Sequence, residues 1–293
     1  MPPFSFHRPI HIAACACVDV ELIAGKFTLS LARPLVMGIV NVTPDSFSDG
    51  GKFLACDHAI AHARKLIEDG ADILDIGGES TRPGAAAASV QEELNRVIPV
   101  LQALVCEGVP ISIDTQKTAV MQAAIAAGAA MINDVNALQA EGAIDACARA
   151  NVAVCLMHMR GTPQTMQQQP AYADVVREVG DYLAARAAAC EAAGIARARI
   201  AIDPGFGFGK TVEHNFTLLR ELRKLAAIGY PLLAGYSRKS SLGAVTGRPV
   251  DERLAASLTA TIIAIQNGAT ILRVHDVGET VDALKVMDAV ARR

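Results

Sequence analysis

Short apolar segments recur along the chain from residue 35 onward, and each is followed by a polar, glycine-containing loop and an amphipathic segment. The apolar segments are rich in valine, isoleucine and leucine, and polar positions do not alternate with apolar ones. This pattern is typical of strands in a parallel sheet that is covered on both faces. Eight strands are predicted, over residues 35–41, 72–76, 110–114, 130–134, 152–158, 199–203, 231–235 and 270–275.

The segments between the strands carry helix signals. Residues 89–92 (SVQE) match a capping box, in which Ser89 and Glu92 satisfy each other's backbone N–H groups at a helix start. Apolar residues then follow at helical spacing from Leu94 to Leu104. The polar strand ends recur about every 33 residues, which is the length of one strand–loop–helix unit.

Eight such units predict an α/β fold of the (β/α)8, or TIM-barrel, class as a single domain over residues 29–293. For residues 1–28, a short N-terminal extension, we expect either a strand pair that closes the bottom of the barrel or a partly disordered lead. A doubly wound open sheet is the alternative, and it predicts a glycine-rich dinucleotide fingerprint after the first strand. Residues 41–47 (NVTPDSF) contain no such fingerprint.

The composition narrows the class of protein. The 293 residues are 52% hydrophobic, which allows a sizeable core and argues against a disordered chain. The 27 Lys and Arg residues do not exceed the 30 Asp and Glu residues, so the basic excess of a nucleic-acid-binding protein is missing. The longest weakly polar stretches, 118–132 and 254–265, are shorter than the roughly 20 residues of a membrane span. We therefore expect neither nucleic-acid nor membrane partners.

Seven cysteines are scattered through apolar segments, and no two of them have the CxxC spacing. The sequence therefore predicts neither a disulfide framework nor a zinc site. Free thiols of this kind are typical of a reducing compartment, so the predicted location is the cytoplasm.

Polar or ionisable residues stand at the carboxyl end of every predicted strand. Barrel enzymes form their active sites at this end, so the pattern indicates a catalytic face. A strand-terminal aspartate can also simply cap the next turn, and for Asp75 and Asp134 taken alone both interpretations stay open. The residues at the strand ends are Asn41, Asp75, Asp114, Asn133, His158, Asp203, Ser237 to Lys239, and Arg273 with His275.

Asp114, Asn133 and Asp203 form the first chemical group among these residues. Carboxylate and amide acceptors side by side suit a ligand with a donor-rich edge, such as a heterocycle with an amino group beside a ring N–H. The glycine-rich segment 204–209 leaves room for a flat ligand. Phe208 within it is either a stacking wall for that ligand or a core residue.

Segment 237–240 (SRKS), together with Arg273 and His275, forms the second group. Because Arg273 and His275 are two residues apart, they point to the same side of their strand. A cation pair inside a barrel is costly unless an anion joins it, and the last two loops of this fold commonly bind phosphate. The group thus predicts an anionic, phosphate-bearing substrate. The long loops 42–51 and 77–89 are candidates for lids that order over a second substrate.

Eight segments, in order over about residues 35–290, together resemble the dihydropteroate synthases of folate biosynthesis. Their joint agreement is highly specific. The segments are 37–51 (MGIVNVTPDSFSDGG), 77–84 (GGESTRPG), 111–115 (ISIDT), 132–135 (INDV), 156–160 (LMHMR), 203–210 (DPGFGFGK), 237–240 (SRKS) and 273–277 (RVHDV).

This resemblance implies a transferase that condenses 6-hydroxymethyl-7,8-dihydropterin diphosphate with 4-aminobenzoate to give 7,8-dihydropteroate and diphosphate, with Mg²⁺ as cofactor. It also implies competition by sulfonamides, and a homodimer with helices 6 to 8 of the barrel as the expected interface. The residues suit this chemistry, because a carboxylate such as Asp114 stabilises positive charge that develops on the pterin. The nucleophile is a neutral aromatic amine and needs no strong general base.

The resemblance also implies roles for single residues of this sequence. Asp114 and Lys239 are the catalytic residues, and Asn41 is the metal ligand. The pterin is expected to contact Asp114, Asn133, Met157, Asp203, Gly235 and Lys239. The diphosphate is expected at Asn41, Arg82, Arg273 and His275, and 4-aminobenzoate at Phe47, Thr81, Arg82, Pro83, Phe208 and Ser240.

Two positions depart from the family pattern. Tyr236 and Ser241 flank the SRKS segment, where the pattern has an aliphatic and a larger apolar residue, and we expect them to alter the 4-aminobenzoate pocket. Two other functions are weighed against the main one. A methyltetrahydrofolate-binding methyltransferase would share the barrel and the acceptor group but has no diphosphate to bind. A non-catalytic homologue would have lost Lys239, Arg273 or a loop motif, and all of these are present.

Overall fold

Eight parallel strands close into a barrel in the computed structural model of the chain, which describes residues 21–43, 52–80, 87–162, 165–166 and 170–291. A two-stranded hairpin precedes the barrel. The strands of the described residues are β1 (Glu21–Ala24), β2 (Phe27–Ser30), β3 (Leu35–Asn41), β4 (Ile73–Gly77), β5 (Ile111–Asp114), β6 (Met131–Asp134), β7 (Ala153–Met157), β8 (Ile200–Asp203), β9 (Leu233–Ala234) and β10 (Ile271–Val274).

Each barrel strand from β3 to β7 pairs in parallel with the next strand along the chain, and β10 pairs with both β9 and β3. The seam between β8 and β9 is closed by a parallel bridge between Ile202 and Leu232. The N–H of Ile202 also donates to the carbonyl oxygen of Pro231 at 2.9 Å. The (β/α)8 barrel that the sequence predicts is confirmed.

Helices connect the strands and cover the outside of the barrel. The capping box predicted at Ser89 is confirmed, because its Oγ accepts the N–H of Glu92 at 3.2 Å and the Glu92 carboxylate accepts the N–H of Ser89 at 2.8 Å. None of the described helices combines the length and the apolar content needed to cross a membrane. The helices are α1 (Lys52–Glu68), α2 (Val90–Leu104), α3 (Thr118–Ala126), α4 (Ala143–Ala148), α5 (Val175–Ala192), α6 (Val212–Arg220), α7 (Leu222–Ala226), α8 (Ser240–Thr246), α9 (Leu254–Gln266) and α10 (Val277–Ala291).

Apolar side chains cover both faces of the barrel wall. Residues such as Val36 and Leu74 pack outward against the helices. Their neighbours Met37 and Ile73 point inward and fill the amino-terminal half of the barrel interior. This double coverage explains why polar and apolar positions do not alternate in the strand sequences.

The hairpin of β1 and β2 closes the amino end of the barrel. Leu22 and Ala24 of β1 are buried in the same cluster as the inward-facing residues of the barrel strands. The turn contains Gly25 at φ +61°, and its carbonyl oxygen accepts the Asn151 amide N–H at 2.9 Å. Since this end is apolar and closed, polar chemistry is confined to the opposite, carboxyl end.

A buried arginine just before β8 bonds to the backbone of the segment that precedes β7. The Arg199 guanidinium donates to the carbonyl oxygens of Cys147 at 2.7 Å, Ala150 at 2.5 Å and Val152 at 2.8 Å. Burial lowers the pKa of Arg199 below its usual value. Backbone carbonyl groups therefore satisfy this cation, and the described residues provide no carboxylate partner for it.

Candidate active site

Polar side chains of the barrel interior gather directly above the apolar inner cluster. Residues two apart on a strand face the same side, so the inward column that begins with Ile73 continues with Asp75, and the column that begins with Ile271 continues with Arg273. The inward-facing polar residues are Asp75, Asp114, Asn133, Asp203 and Arg273.

Arg273 lies at the centre of this group. Its Nε donates to Asp75 Oδ2 at 2.5 Å, and its Nη2 donates to Asp114 Oδ2 at 2.8 Å. Burial opposes the charge of Arg273, but the two carboxylates outweigh this effect and raise the pKa above its usual value. The anions that compensate the cation are therefore supplied by the protein itself, where the sequence had suggested an anionic substrate alone.

Asp75 links the cationic and the amide parts of the site. It is fully buried, and its Oδ2 accepts both the Arg273 Nε–H and the Asn133 Nδ2–H, the latter at 3.1 Å. Its Oδ1 has no hydrogen-bond partner among the described residues. The sequence left Asp75 open between turn cap and function, and the structure places it beneath the site.

Asp134, in contrast, is a turn cap. Its carboxylate accepts the N–H groups of Asn136 and Leu138, both at 2.7 Å, so it caps the loop after β6. Burial raises the pKa of Asp134 to about 6. The two aspartates, for which the sequence leaves the same two interpretations open, thus have different roles.

Asp114 is partly exposed at the end of β5. Burial raises its pKa to about 7, and Arg273 opposes this shift.

Asp203 ends β8 and is buried. Its Oδ1 accepts the N–H of Gly205 at 2.7 Å, and burial raises its pKa. A side chain at Gly235 would stand 3.9 Å from both Asp203 Oδ2 and Arg273. Gly235 therefore leaves open space between the acceptor Asp203 and the cation Arg273.

Lys239 enters the site from the loop after β9. Its Nζ lies 4.3 Å from the centroid of the Phe208 ring, which is cation–π distance. Burial and the repulsion from Arg273 lower the pKa of Lys239 to about 8. Phe208 itself packs with Val135 and Met157, so it belongs to an apolar cluster, and its role as a stacking wall for a flat ligand stays a prediction.

His275 stands just after β10, opposite the same loop. Its Nδ1 lies 3.0 Å from Ser237 Oγ, and burial together with Arg273 lowers its pKa to about 3. The imidazole is therefore neutral at pH 7, and the predicted cation pair contains only one cation, Arg273. The reason is that the desolvation of His275 and the neighbouring charge both disfavour its protonated form.

Arg238, between Ser237 and Lys239, has a left-handed backbone conformation at φ +58°. Its N–H donates to Ser257 Oγ at 2.9 Å, and its Nε donates to Asp276 at 3.1 Å. These contacts hold a strained turn in place, and α8 begins immediately after it at the exposed Ser240.

Asn41 ends β3 beside Gly77. A Cβ at Gly77 would lie 3.8 Å from Asp114 Oδ2 and 4.0 Å from Asn41 Oδ1, so the two side chains flank the same glycine. The described residues contain no group of three or more His, Cys, Asp or Glu side chains that could hold a metal ion. Asn41 itself has one amide oxygen, which lies at the carboxyl end of the barrel beside Gly77.

Several predicted ligands of the second substrate and of the diphosphate lie outside the described residues, namely Phe47, Thr81, Arg82 and Pro83. The described chain on either side of residues 81–86 is well anchored. Glu79 accepts the N–H of Ala88 at 2.8 Å and pairs with Lys117 Nζ at 2.8 Å. Lys117 in turn bonds the fully buried Glu93.

Tyr236 and Ser241 belong to the layer between barrel and helices. The Tyr236 ring packs on Phe206 with centroids 4.5 Å apart, and Ser241 Oγ donates to the Tyr236 hydroxyl at 3.1 Å. Gly235 and Ser237 face the barrel interior on either side of Tyr236. The two residues that depart from the expected pattern therefore contact each other in the outer layer.

Sequence reasoning missed two functional candidates at this end of the barrel. Asp75 was recognised as a strand-end residue but received no site role. Lys210, at the end of the glycine-rich segment, is 3% exposed and makes several hydrogen bonds, and the only signal for it was its place in the DPGFGFGK motif.

Comparison with known proteins gives consistent matches. The family described as pterin binding enzyme matches residues 37–275. A dihydropteroate synthase from Neisseria meningitidis serogroup C is 54% identical over 272 residues, which cover 91% of this chain and 96% of the relative.

Solved structures agree with this match. A Xanthomonas albilineans dihydropteroate synthase with 4-aminobenzoic acid superposes with a TM-score of 0.89 at 54% identity, covering 94% of this chain and all of that one. A Burkholderia cenocepacia dihydropteroate synthase complexed with 7,8-dihydropteroate has a TM-score of 0.86 at 52% identity, with 93% and 97% covered.

The pairing of Asp75 with Arg273 leads to a stability prediction. We expect Asp75→Asn to lower the free energy of unfolding by about 3 kcal/mol, because a buried guanidinium loses one of its two carboxylates. The matched control is Asp134→Asn, which removes a buried cap and should cost about 1 kcal/mol. Urea unfolding at pH 7 measures both. Equal losses would contradict a special role for Asp75.

Proposed function

The chain belongs to the family of pterin-binding enzymes, and we propose that it works in folate biosynthesis as a dihydropteroate synthase. This transferase joins 6-hydroxymethyl-7,8-dihydropterin diphosphate to 4-aminobenzoate and releases diphosphate. One observation carries the proposal: the family match spans the residues that converge at the carboxyl end of the barrel, namely Asp114, Asn133, Asp203, Lys239 and Arg273.

The pterin occupies the space beside Gly235. Asp203 and Asn133 provide carboxylate and amide groups for the amino group and ring N–H of the pterin edge. Such charge-assisted bonds in a buried site favour this heterocycle over analogues that lack the donors. Met157 packs at the end of β7, where it pairs in register with Asp203.

The reaction breaks the C–O bond between the pterin methylene and the diphosphate while the amine nitrogen of 4-aminobenzoate forms the new C–N bond. Positive charge develops on the pterin methylene and spreads into the ring. The ionised Asp114 carboxylate stabilises this charge from a fixed position. The amine is neutral at pH 7, so its attack needs no prior deprotonation, and the proton is lost after the C–N bond has formed.

The diphosphate binds between the last two strands. Arg273 uses one N–H each for Asp75 and Asp114, which leaves three of its five N–H donors for phosphate oxygens. Lys239 adds a second cation, and the neutral His275 adds an N–H donor rather than a charge. The fork of Arg273 thereby holds the leaving group while the carboxylates stay in place.

Magnesium fits this arrangement at Asn41. One amide oxygen beside Asp114 suits an ion that takes most of its ligands from phosphate oxygens and water. When bound, Mg²⁺ neutralises charge on the departing diphosphate.

The second substrate, 4-aminobenzoate, binds beside the Phe208 ring and Ser240. This subsite is completed by Phe47, Thr81, Arg82 and Pro83. Sulfonamides, which carry the same aromatic amine, compete for it.

The protein forms a homodimer through its last helices. Apolar side chains are exposed on α8 and α10, with Val245 61%, Val286 65% and Val290 81% exposed. Both helices pack on α9, and exposed apolar residues grouped in this way support a surface that another chain covers. We expect light scattering at micromolar concentration to give twice the 30.7 kDa of one chain, and Val286→Asp to shift the mass towards one chain. A monomeric unaltered protein contradicts this part of the proposal.

The protein acts in the cytoplasm. The described cysteines, Cys56, Cys106, Cys147, Cys155 and Cys190, are free thiols. Free thiols are typical of a reducing compartment.

An activity assay tests the proposed function. Mixing the protein with the pterin diphosphate, Mg²⁺ and 4-aminobenzoate should release diphosphate and form 7,8-dihydropteroate. The Arg273→Lys variant is the control and should lose most of this turnover, because an ammonium cannot replace the guanidinium fork. Pterin binding without diphosphate release would favour a non-catalytic homologue. Methyl transfer from methyltetrahydrofolate would favour the methyltransferase alternative.

The pKa values of Asp114 and Lys239 predict a pH profile. We expect kcat/KM for the pterin diphosphate to rise with pH through about 7, as Asp114 becomes ionised. It should fall above about pH 8, as Lys239 loses its proton. Residual turnover of Asp114→Asn should lack the rise near pH 7, while any ionisation of the substrate appears in both proteins. The same rise in the variant would contradict the assignment.

A further inference from the structure

Lys210 is a buried lysine that the proposed reaction does not use. It ends the segment 204–210 after β8, is 3% exposed, and has no carboxylate within ion-pair distance among the described residues. Its Nζ contacts four acceptors instead. They are Gly205 O at 3.0 Å, Phe208 O at 3.0 Å, His158 Nδ1 at 3.0 Å and His158 O at 3.3 Å.

The geometry around Nζ suits an ammonium group. Burial and the charge of Lys210 lower the pKa of His158 to about 3, so its imidazole is neutral and its Nδ1 accepts a hydrogen bond. The three N–H groups of Lys210 then meet three acceptors at 3.0 Å. Two of these acceptors belong to the segment after β8, and the third belongs to the residue after β7.

The segment that Lys210 holds has an unusual backbone. Gly205 and Gly209 have φ values of +67° and +63°. A side chain at Gly205 would collide with His158 O at 2.0 Å, and one at Gly209 would collide with Arg160 O at 2.5 Å. The segment therefore packs directly on the chain that follows β7, and its carbonyl groups turn towards Nζ.

The same segment shapes the pterin subsite. The Gly205 N–H orients the Asp203 carboxylate at 2.7 Å, and the Phe208 ring faces Lys239 Nζ. A Cβ at Gly207 would stand 3.2 Å from Lys239 Cδ. Lys210 therefore donates to the carbonyl oxygens of two residues that shape the subsite. Gly205 orients Asp203, and Phe208 presents its aromatic face.

We propose that Lys210 is a positioning residue for the pterin subsite, which it shapes by gathering the carbonyl groups of Gly205 and Phe208 around its ammonium group. Asp203 and Phe208 thereby keep the orientation that a flat heterocycle requires. This role rests on the proposed function, since the ligand that it prepares for is a pterin.

The burial of the Lys210 amine supports this role. Burial and the repulsion from Lys239 lower its pKa to about 7, and Asp203 opposes the shift. A methionine of similar shape would avoid this desolvation, and replacing buried charges by apolar residues is often neutral or stabilising. The three acceptors at 3.0 Å from Nζ, rather than stability, therefore account for a buried amine at this position.

Calorimetry on Lys210→Met with two separate ligands tests the proposal. The affinity for 6-hydroxymethylpterin should fall at least about tenfold, because the acceptors of the subsite lose their alignment. The affinity for inorganic diphosphate should fall much less, because its proposed ligands Arg273, His275 and Lys239 all lie on other elements, and only Lys239 contacts Phe208. Retained pterin affinity, or an equal loss for both ligands, overturns the role of Lys210.

Arg199→Met is the matched control. It also removes a buried cation that is held by three backbone carbonyl oxygens, but at the amino end of β8. We expect a change in Tm comparable to that of Lys210→Met, with unchanged affinity for both ligands. If Arg199→Met weakens pterin binding as much as Lys210→Met does, the effect is general destabilisation and the proposal is overturned.

If the Lys210→Met variant does not fold, the same calorimetric test is made with Lys210→Gln. Its amide keeps two N–H donors and removes the charge, and a loss selective for the pterin is again the expected result. An unaltered protein that binds no pterin would overturn the proposed function itself. Retention of pterin binding in the folded variants overturns only the inference on Lys210.

Discussion

Arg273 brings a permanent positive charge into the interior of the barrel, and the surrounding residues are arranged to compensate it. A buried guanidinium needs both charge compensation and partners for its N–H groups. Asp75 meets this need from below and Asp114 from the side, and Asn133 is tied to the same carboxylate as Arg273. The inward-facing polar residues of β4, β5, β6 and β10 therefore form one hydrogen-bonded unit.

Much of this arrangement could be predicted from the sequence, because parallel strands covered on both faces have uninterrupted apolar segments. The polar residue that ends each segment then marks the carboxyl face. The pairing of these residues could not be predicted. Asp134 follows the inward-facing Asn133 and therefore points away from the interior and caps a loop, whereas β4 continues to Gly77 and leaves Asp75 facing inward. The neutral state of His275 was also missed, because burial is a property of the fold and not of the residue.

Tyr236 and Ser241, the two positions at which the sequence departs from the expected pattern, lie in the outer layer of the barrel. They bond to each other between barrel and helices. The strand alternation places Gly235 and Ser237, rather than Tyr236, towards the site. The active face and the outer layer can thus vary separately, although one strand and its loop build both.

The hairpin at the amino end of the barrel has a consequence for synthesis of the chain. Leu22 and Ala24 pack against residues from β3 through β10, so their burial site consists of strands made over the next 250 or so residues. On the ribosome the hairpin emerges before any strand that it contacts. Its apolar face becomes fully covered only after β10 has joined β3, which makes closure of the barrel a late, long-range event that depends on release of nearly the whole chain.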